Sequence, residues 1–140
     1  MESKVVWKGG MAFTGSVAGS GYLIPLDTDK AVGGRDLGFR PLQLFAVGLV
    51  GCTGMDVISI LQKKRVEVTG FEVSTEIEQA EQHPKAFTKI QLIYKVTGKN
   101  IDRKDVERAV ELSENKYCPA QAMLNETAEI SHQIIIEEKE

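Results

Sequence analysis

Basic charge and cysteine are both scarce in this chain, and each shortage closes a class of function. Seventeen Lys and Arg face twenty Asp and Glu, for a formal net charge of −3 and a pI near 5.5. Nucleic acid and anionic membrane surfaces call for clustered basic charge, so neither is an expected partner. The basic pairs that exist, Lys63-Lys64-Arg65 and Arg103-Lys104, have acidic neighbours. Two cysteines are too few for a disulfide scaffold, and no C-x-x-C or His/Cys cluster marks a zinc site. No metal or organic cofactor is therefore expected. The first ten residues, MESKVVWKGG, lack an apolar h-region and a small-residue cleavage site, so no secretory leader is read there. The longest uncharged run, from Pro41 to Met55, has 15 residues, short of the roughly 18–20 that cross a bilayer. These absences leave a single ordinary domain over residues 1–140, expected in a reducing cytoplasm.

What is present is 42% hydrophobic residues over 140 positions, enough for a real core. Val5 and Trp7 alternate with Lys4 and Lys8, Gly9-Gly10 supplies a turn, and Met11, Phe13 and Val17 resume the apolar rhythm. With Tyr22 to Leu26 after Gly19-Ser20-Gly21, the spacing predicts a three-strand meander. Residues 27–40, polar and with three glycines, read as a long loop of the kind that often carries function.

From Pro41, a favoured first helical residue, to Arg65 the pattern is helical, with apolar residues on every side of its first half. Such a helix is buried. Gly48, Gly51 and Gly54 recur every third residue along it, at about 1 kcal/mol each relative to alanine. A second helix, from this chain or a partner subunit, is expected to pack closely there. Two long strands follow, the first changing phase at Gly70 as a bulge requires. A helix then opens at Asn100-Ile101-Asp102, runs on one apolar stripe of Val106, Ala109, Val110 and Leu112, and ends near Asn115-Lys116. Cys118-Pro119 starts a short helix, AQAML, with Cys118 as its cap. Ala128, Ile130, His132, Ile134 and Ile136 share one phase of a closing strand, in which His132 is read as a packed, hydrogen-bonded residue rather than a site residue. The order implies an α+β fold, antiparallel sheet covering an unusually apolar helix, and a dimer that shares the helical core.

Two thiols stand out as candidate site residues: Cys52 in Gly51-Cys52-Thr53-Gly54 and Cys118 in Tyr117-Cys118-Pro119. In a reducing compartment such a pair is more often transient and catalytic than structural. Two inert core cysteines are the rival reading. Cys118 at a helix N-cap faces free N–H groups, which lower a thiol pKa. Cys52, mid-helix among apolar residues, would be raised, further so if Asp56 points the same way. Its activation then needs a cation, for which Arg35 and Arg40 are the candidates. A thiol oxidised by peroxide to sulfenic acid condenses with a second thiol to a disulfide, provided folding brings the two together.

The stretch Pro41 to Thr53 (PLQLFAVGLVGCT), with Ala109-Val110-Glu111-Leu112-Ser113 and Tyr117-Cys118-Pro119, resembles the OsmC/Ohr family of thiol-dependent peroxide reductases, over nearly the whole chain. The resemblance implies an OsmC-like α+β fold: an intertwined homodimer in which antiparallel sheets wrap two central cysteine helices. It implies Cys52 as the thiol that attacks an organic hydroperoxide, Cys118 as its resolving partner, and an external dithiol as reductant. Two positions depart from the pattern. Met11 follows Gly9-Gly10 and Leu42 follows Pro41, where hydroperoxide reductases of the family usually carry an arginine and a glutamate. Without that pair, a dimer that binds a small molecule with little turnover stands as the alternative.

Overall fold

The computed structural model describes residues 1–139, which fall into two compact units, Met1–Val47 and a second that begins at Gly48. In the first unit, β1 (Ser3–Trp7), β2 (Phe13–Val17) and β3 (Leu23–Leu26) form the expected antiparallel meander. The loop after β3 is held by one buried carboxylate. Asp27 accepts from the backbone N–H groups of Thr28 (2.8 Å), Arg35 (3.2 Å) and Leu37 (3.2 Å). The Thr28 N–H and its companions hold the Asp27 carboxyl below its ordinary range, against the opposing effect of burial. Gly38 is required here, because a Cβ would sit 2.6 Å from the Pro25 carbonyl. The Arg40 guanidinium pairs with Asp36 at 2.6 Å, and Arg35 is exposed.

α1 (Pro41–Lys63) starts in the first unit and continues into the second. Its opening is capped by Gln43, whose side-chain oxygen accepts from Arg40 N at 3.0 Å. In the second unit β4 (Glu67–Gln79) and β5 (Phe87–Lys99) pair antiparallel, and the register shifts between Val68 and Gly70, where the sequence changes phase. α2 (Arg103–Leu112) is capped by Asp102, which accepts from Lys104 N at 2.9 Å. A π-helical turn, Ser113–Tyr117, joins it to α3 (Pro119–Leu124), and β6 (Glu129–Glu138) closes the sheet.

One pairing corrects the all-antiparallel expectation: β6 lies parallel to β5, Tyr94 opposite Ile134. The chain leaves β5, crosses through α2 and α3, and re-enters the sheet in the same direction, as a crossover connection allows and a hairpin does not. The core of this unit joins Leu49, Val57 and Leu61 of α1 to Ile90, Leu92, Tyr94 and Val96 of β5 and Val106, Ala109 and Val110 of α2.

The burial of α1 also differs from expectation. One stripe is buried, Leu49, Thr53, Val57 and Leu61, at the four-residue spacing of one helix face. Phe45, Val47 and Met55 are 59%, 55% and 74% exposed. A Cβ on Gly48 or Gly51 would meet nothing within 4 Å, so among the described residues no second helix packs there; Gly54 faces Val73 and Phe71. At 23 residues α1 is long and apolar enough to cross a membrane. Its buried stripe nevertheless belongs to the core of the second unit.

Candidate functional site

The site grows from three local structures of the second unit. α1 presents Cys52, Thr53 and, one turn on, Asp56. Thr53 occupies the buried stripe, which turns its neighbour Cys52 to the margin of the core, half-buried. The π-helical turn sets the other side. Cys118 N donates to Ser113 O at 2.9 Å, an i+5 bond that widens the turn and ends it with Cys118 in extended backbone. Pro119 demands that: a residue before proline is displaced from the helical region. Cys118 is thereby the N-cap of α3, its Sγ accepting from Gln121 N at 3.4 Å.

Those constraints bring together what lies far apart in sequence. The sulfurs of Cys52 and Cys118 and a carboxylate oxygen of Asp56 all lie within 4.8 Å of one another. Both cysteines are free. Asp56 does point the same way as Cys52, so the charge the second unit sets beside the thiols is negative.

Around this trio runs a polar network that sequence reasoning did not identify. Thr53 Oγ1 is 2.9 Å from Tyr94 OH, 2.9 Å from Ser113 Oγ and 2.8 Å from Gln121 Nε2. Ser113 Oγ donates to Asp56 Oδ2 at 2.8 Å. The protons can be assigned by counting. Ionised Asp56 only accepts, so the single hydroxyl proton of Ser113 is committed to it. Ser113 then accepts from Thr53, and Thr53 accepts from Tyr94 and Gln121. The result is a directed chain, Tyr94 and Gln121 to Thr53 to Ser113 to Asp56. Among the described residues no buried side-chain nitrogen or oxygen lacks a partner. One signal for the hub was available: Thr53 is the polar member of an otherwise aliphatic stripe.

The electrostatics correct the expectation for Cys118. Burial pushes its thiol up to about 11, the Gln121 N–H pulls the other way, and the neighbouring Cys52 sulfur raises it again. A cap position lowers a thiol pKa only while water or a cation shares the stabilisation; here the residue is 3% exposed and the helix has six residues. Tyr94 is likewise pushed up to about 12 by burial. His132 is more exposed than the closing-strand pattern suggests. Its Nδ1 pairs with Glu114 Oε1 at 2.6 Å and its ring meets Tyr94 edge-on, so it is partnered but not packed away.

Comparison with known proteins places this arrangement. The family model described as OsmC-like protein matches residues 33–133, which include both cysteines and Asp56. The chain belongs to the OsmC-like family. Protein YhfA of Escherichia coli K12 is 37% identical over 132 residues, which cover 94% of this chain and 95% of YhfA. Among solved structures, a hypothetical protein from Aquifex aeolicus is 27% identical with a TM-score of 0.86, covering 99% of this chain and 97% of its own. The organic hydroperoxide resistance protein OsmC from Legionella pneumophila shares the fold at 15% identity and a TM-score of 0.69, covering 96% and 95% of the two chains. The α+β class, with two small sheets and a long cysteine-bearing helix, is thus the OsmC-like one.

Proposed function

We propose that this protein is a cytoplasmic, homodimeric redox protein that reduces organic hydroperoxides through Cys52, with Cys118 as resolving thiol. The observation that carries the reading is the approach of the two free sulfurs to within 4.8 Å of each other and of Asp56. The hydroperoxide resistance proteins of like fold support the substrate class.

The chemistry divides between the thiols by their environments. Cys118, buried and beside the Cys52 sulfur, keeps its proton at neutral pH. Cys52, half-buried, attacks a peroxide oxygen while the adjacent Asp56 carboxylate takes its proton and passes it to the departing alkoxide. The O–O bond breaks, alcohol leaves, and Cys52 becomes a sulfenic acid. The Cys118 sulfur then attacks the Cys52 sulfur, water leaves, and a disulfide remains. An external dithiol restores both thiols by exchange. Asp56 in this scheme does the work that an arginine–glutamate pair would otherwise do; Met11 and Leu42 occupy the positions where that pair is usual.

The test is thiol counting during addition of an alkyl hydroperoxide. One equivalent should consume both thiols and leave an intramolecular disulfide. Cys52→Ser should abolish consumption, and Cys118→Ser should stop at a sulfenic acid trapped by dimedone. Both thiols surviving an excess of several alkyl hydroperoxides would overturn the reading.

A further inference from the structure

Two thiols and a carboxylate that converge on one point make a donor set as well as a redox pair. Cys52 Sγ, Cys118 Sγ and an Asp56 oxygen are mutually within 4.8 Å. No other group of three His, Cys, Asp or Glu donors comes so close among the described residues. Linear spacing carried no sign of it, since the fold and not a C-x-x-C motif assembles it.

The chemistry of the donors selects the ion. Mg²⁺ and Ca²⁺ take oxygen ligands, whereas two sulfurs with one oxygen suit the borderline-soft Zn²⁺. Tetrahedral zinc, with bonds of about 2.3 Å to sulfur and 2.0–2.2 Å to oxygen, spaces its sulfurs about 3.8 Å apart and sulfur from oxygen about 3.5 Å. From 4.8 Å or less, the sulfurs therefore need to close by at most about 1 Å and sulfur and oxygen by at most about 1.3 Å, within what side-chain rotation supplies. Two of the three are already oriented from behind. Ser113 Oγ holds Asp56 Oδ2 at 2.8 Å, leaving the other oxygen free, and Gln121 N donates to Cys118 Sγ at 3.4 Å. Such bonds persist on metal-bound carboxylates and thiolates and fix their direction.

We propose that the reduced protein binds one Zn²⁺ per protomer through Cys52, Cys118 and Asp56, with the fourth position open. Binding releases the two thiol protons to solvent and forms two Zn–S bonds. While bound, the sulfurs cannot join to each other. Oxidation to the disulfide withdraws both thiolate ligands and expels the metal. The inference goes beyond hydroperoxide reduction and does not require it.

The experiment titrates zinc chloride into reduced, chelator-stripped protein against a chromophoric chelator. One zinc per protomer is expected. Cys52→Ser and Cys118→Ser should each weaken binding on the order of 100-fold or more, and Ser113→Ala roughly tenfold. Protein oxidised to the disulfide should bind none. Cobalt(II) in place of zinc should give a thiolate-to-metal charge-transfer band with the native protein, a readout that does not depend on the variants folding. No zinc uptake by folded reduced protein, no such band, or full affinity in the Cys52→Ser/Cys118→Ser double variant overturns the site. Zinc uptake without peroxide consumption overturns only the proposed reaction, and the reverse result only the metal site.

Discussion

Cys118 shows how burial and helix geometry compete at a single sulfur. Its cap position supplies a backbone N–H, but desolvation outweighs it and the thiol rises to about 11. The sign of the consequence follows from linkage. In the unfolded chain the thiol ionises near its ordinary ~8.5, while the folded chain keeps the proton to about 11. The unfolded state therefore loses a proton first, and stability falls as pH rises through that window. In metal-free protein, Cys118 alkylation by iodoacetamide should show a midpoint near 11. In Cys52→Ser the midpoint should move down, because the neighbouring sulfur is one of the groups that raises it. A midpoint near 8.5 in the native protein would mean the site is open to water. The cysteines themselves were legible in the sequence, by their glycine and proline settings. Thr53 could be marked as the polar member of an aliphatic stripe, but its meeting with Ser113 and Gln121 could not, because isolated polar residues carry no mark of whether they meet.

At the scale of elements, the bulge at Gly70 was readable because a phase change in a period-2 pattern can come only from an inserted residue. The parallel direction of β6 was not, since alternation is blind to the orientation of the neighbour. The π-helical turn was equally hidden: Ser113–Tyr117 has ordinary helical composition, and its widening is fixed by Pro119 and by the Cys118 N to Ser113 O bond. That turn is what aims Cys118. Deleting Asn115 would remove the extra residue, rotating everything downstream by about 100° and shortening the path by about 1.5 Å. The variant is expected to keep its helix content by circular dichroism but to lose the Cys52–Cys118 disulfide on treatment with diamide. Disulfide formation at the native rate would show that the turn does not place the sulfur.

For the whole molecule, the all-round apolar character of α1 raises the question of what covers the face that this chain leaves exposed. Leu49, Thr53, Val57 and Leu61 are buried, while Gly48, Gly51 and the 74% exposed Met55 leave an open face beside Cys52. If two copies pack helix on helix there, the glycines set the distance of approach. Gly51→Leu separates this from a free surface, because the two cases move stability in opposite directions. Within one copy the new side chain meets nothing within 4 Å of its Cβ, and losing a mid-helix glycine should stabilise by up to about 1 kcal/mol. Across a close helix pair the same side chain is a wedge. We expect sedimentation velocity to show a dimer for the native protein and monomer for Gly51→Leu, with a lower melting temperature at equal concentration. An unchanged dimer that melts higher would move the subunit contact elsewhere on the molecule.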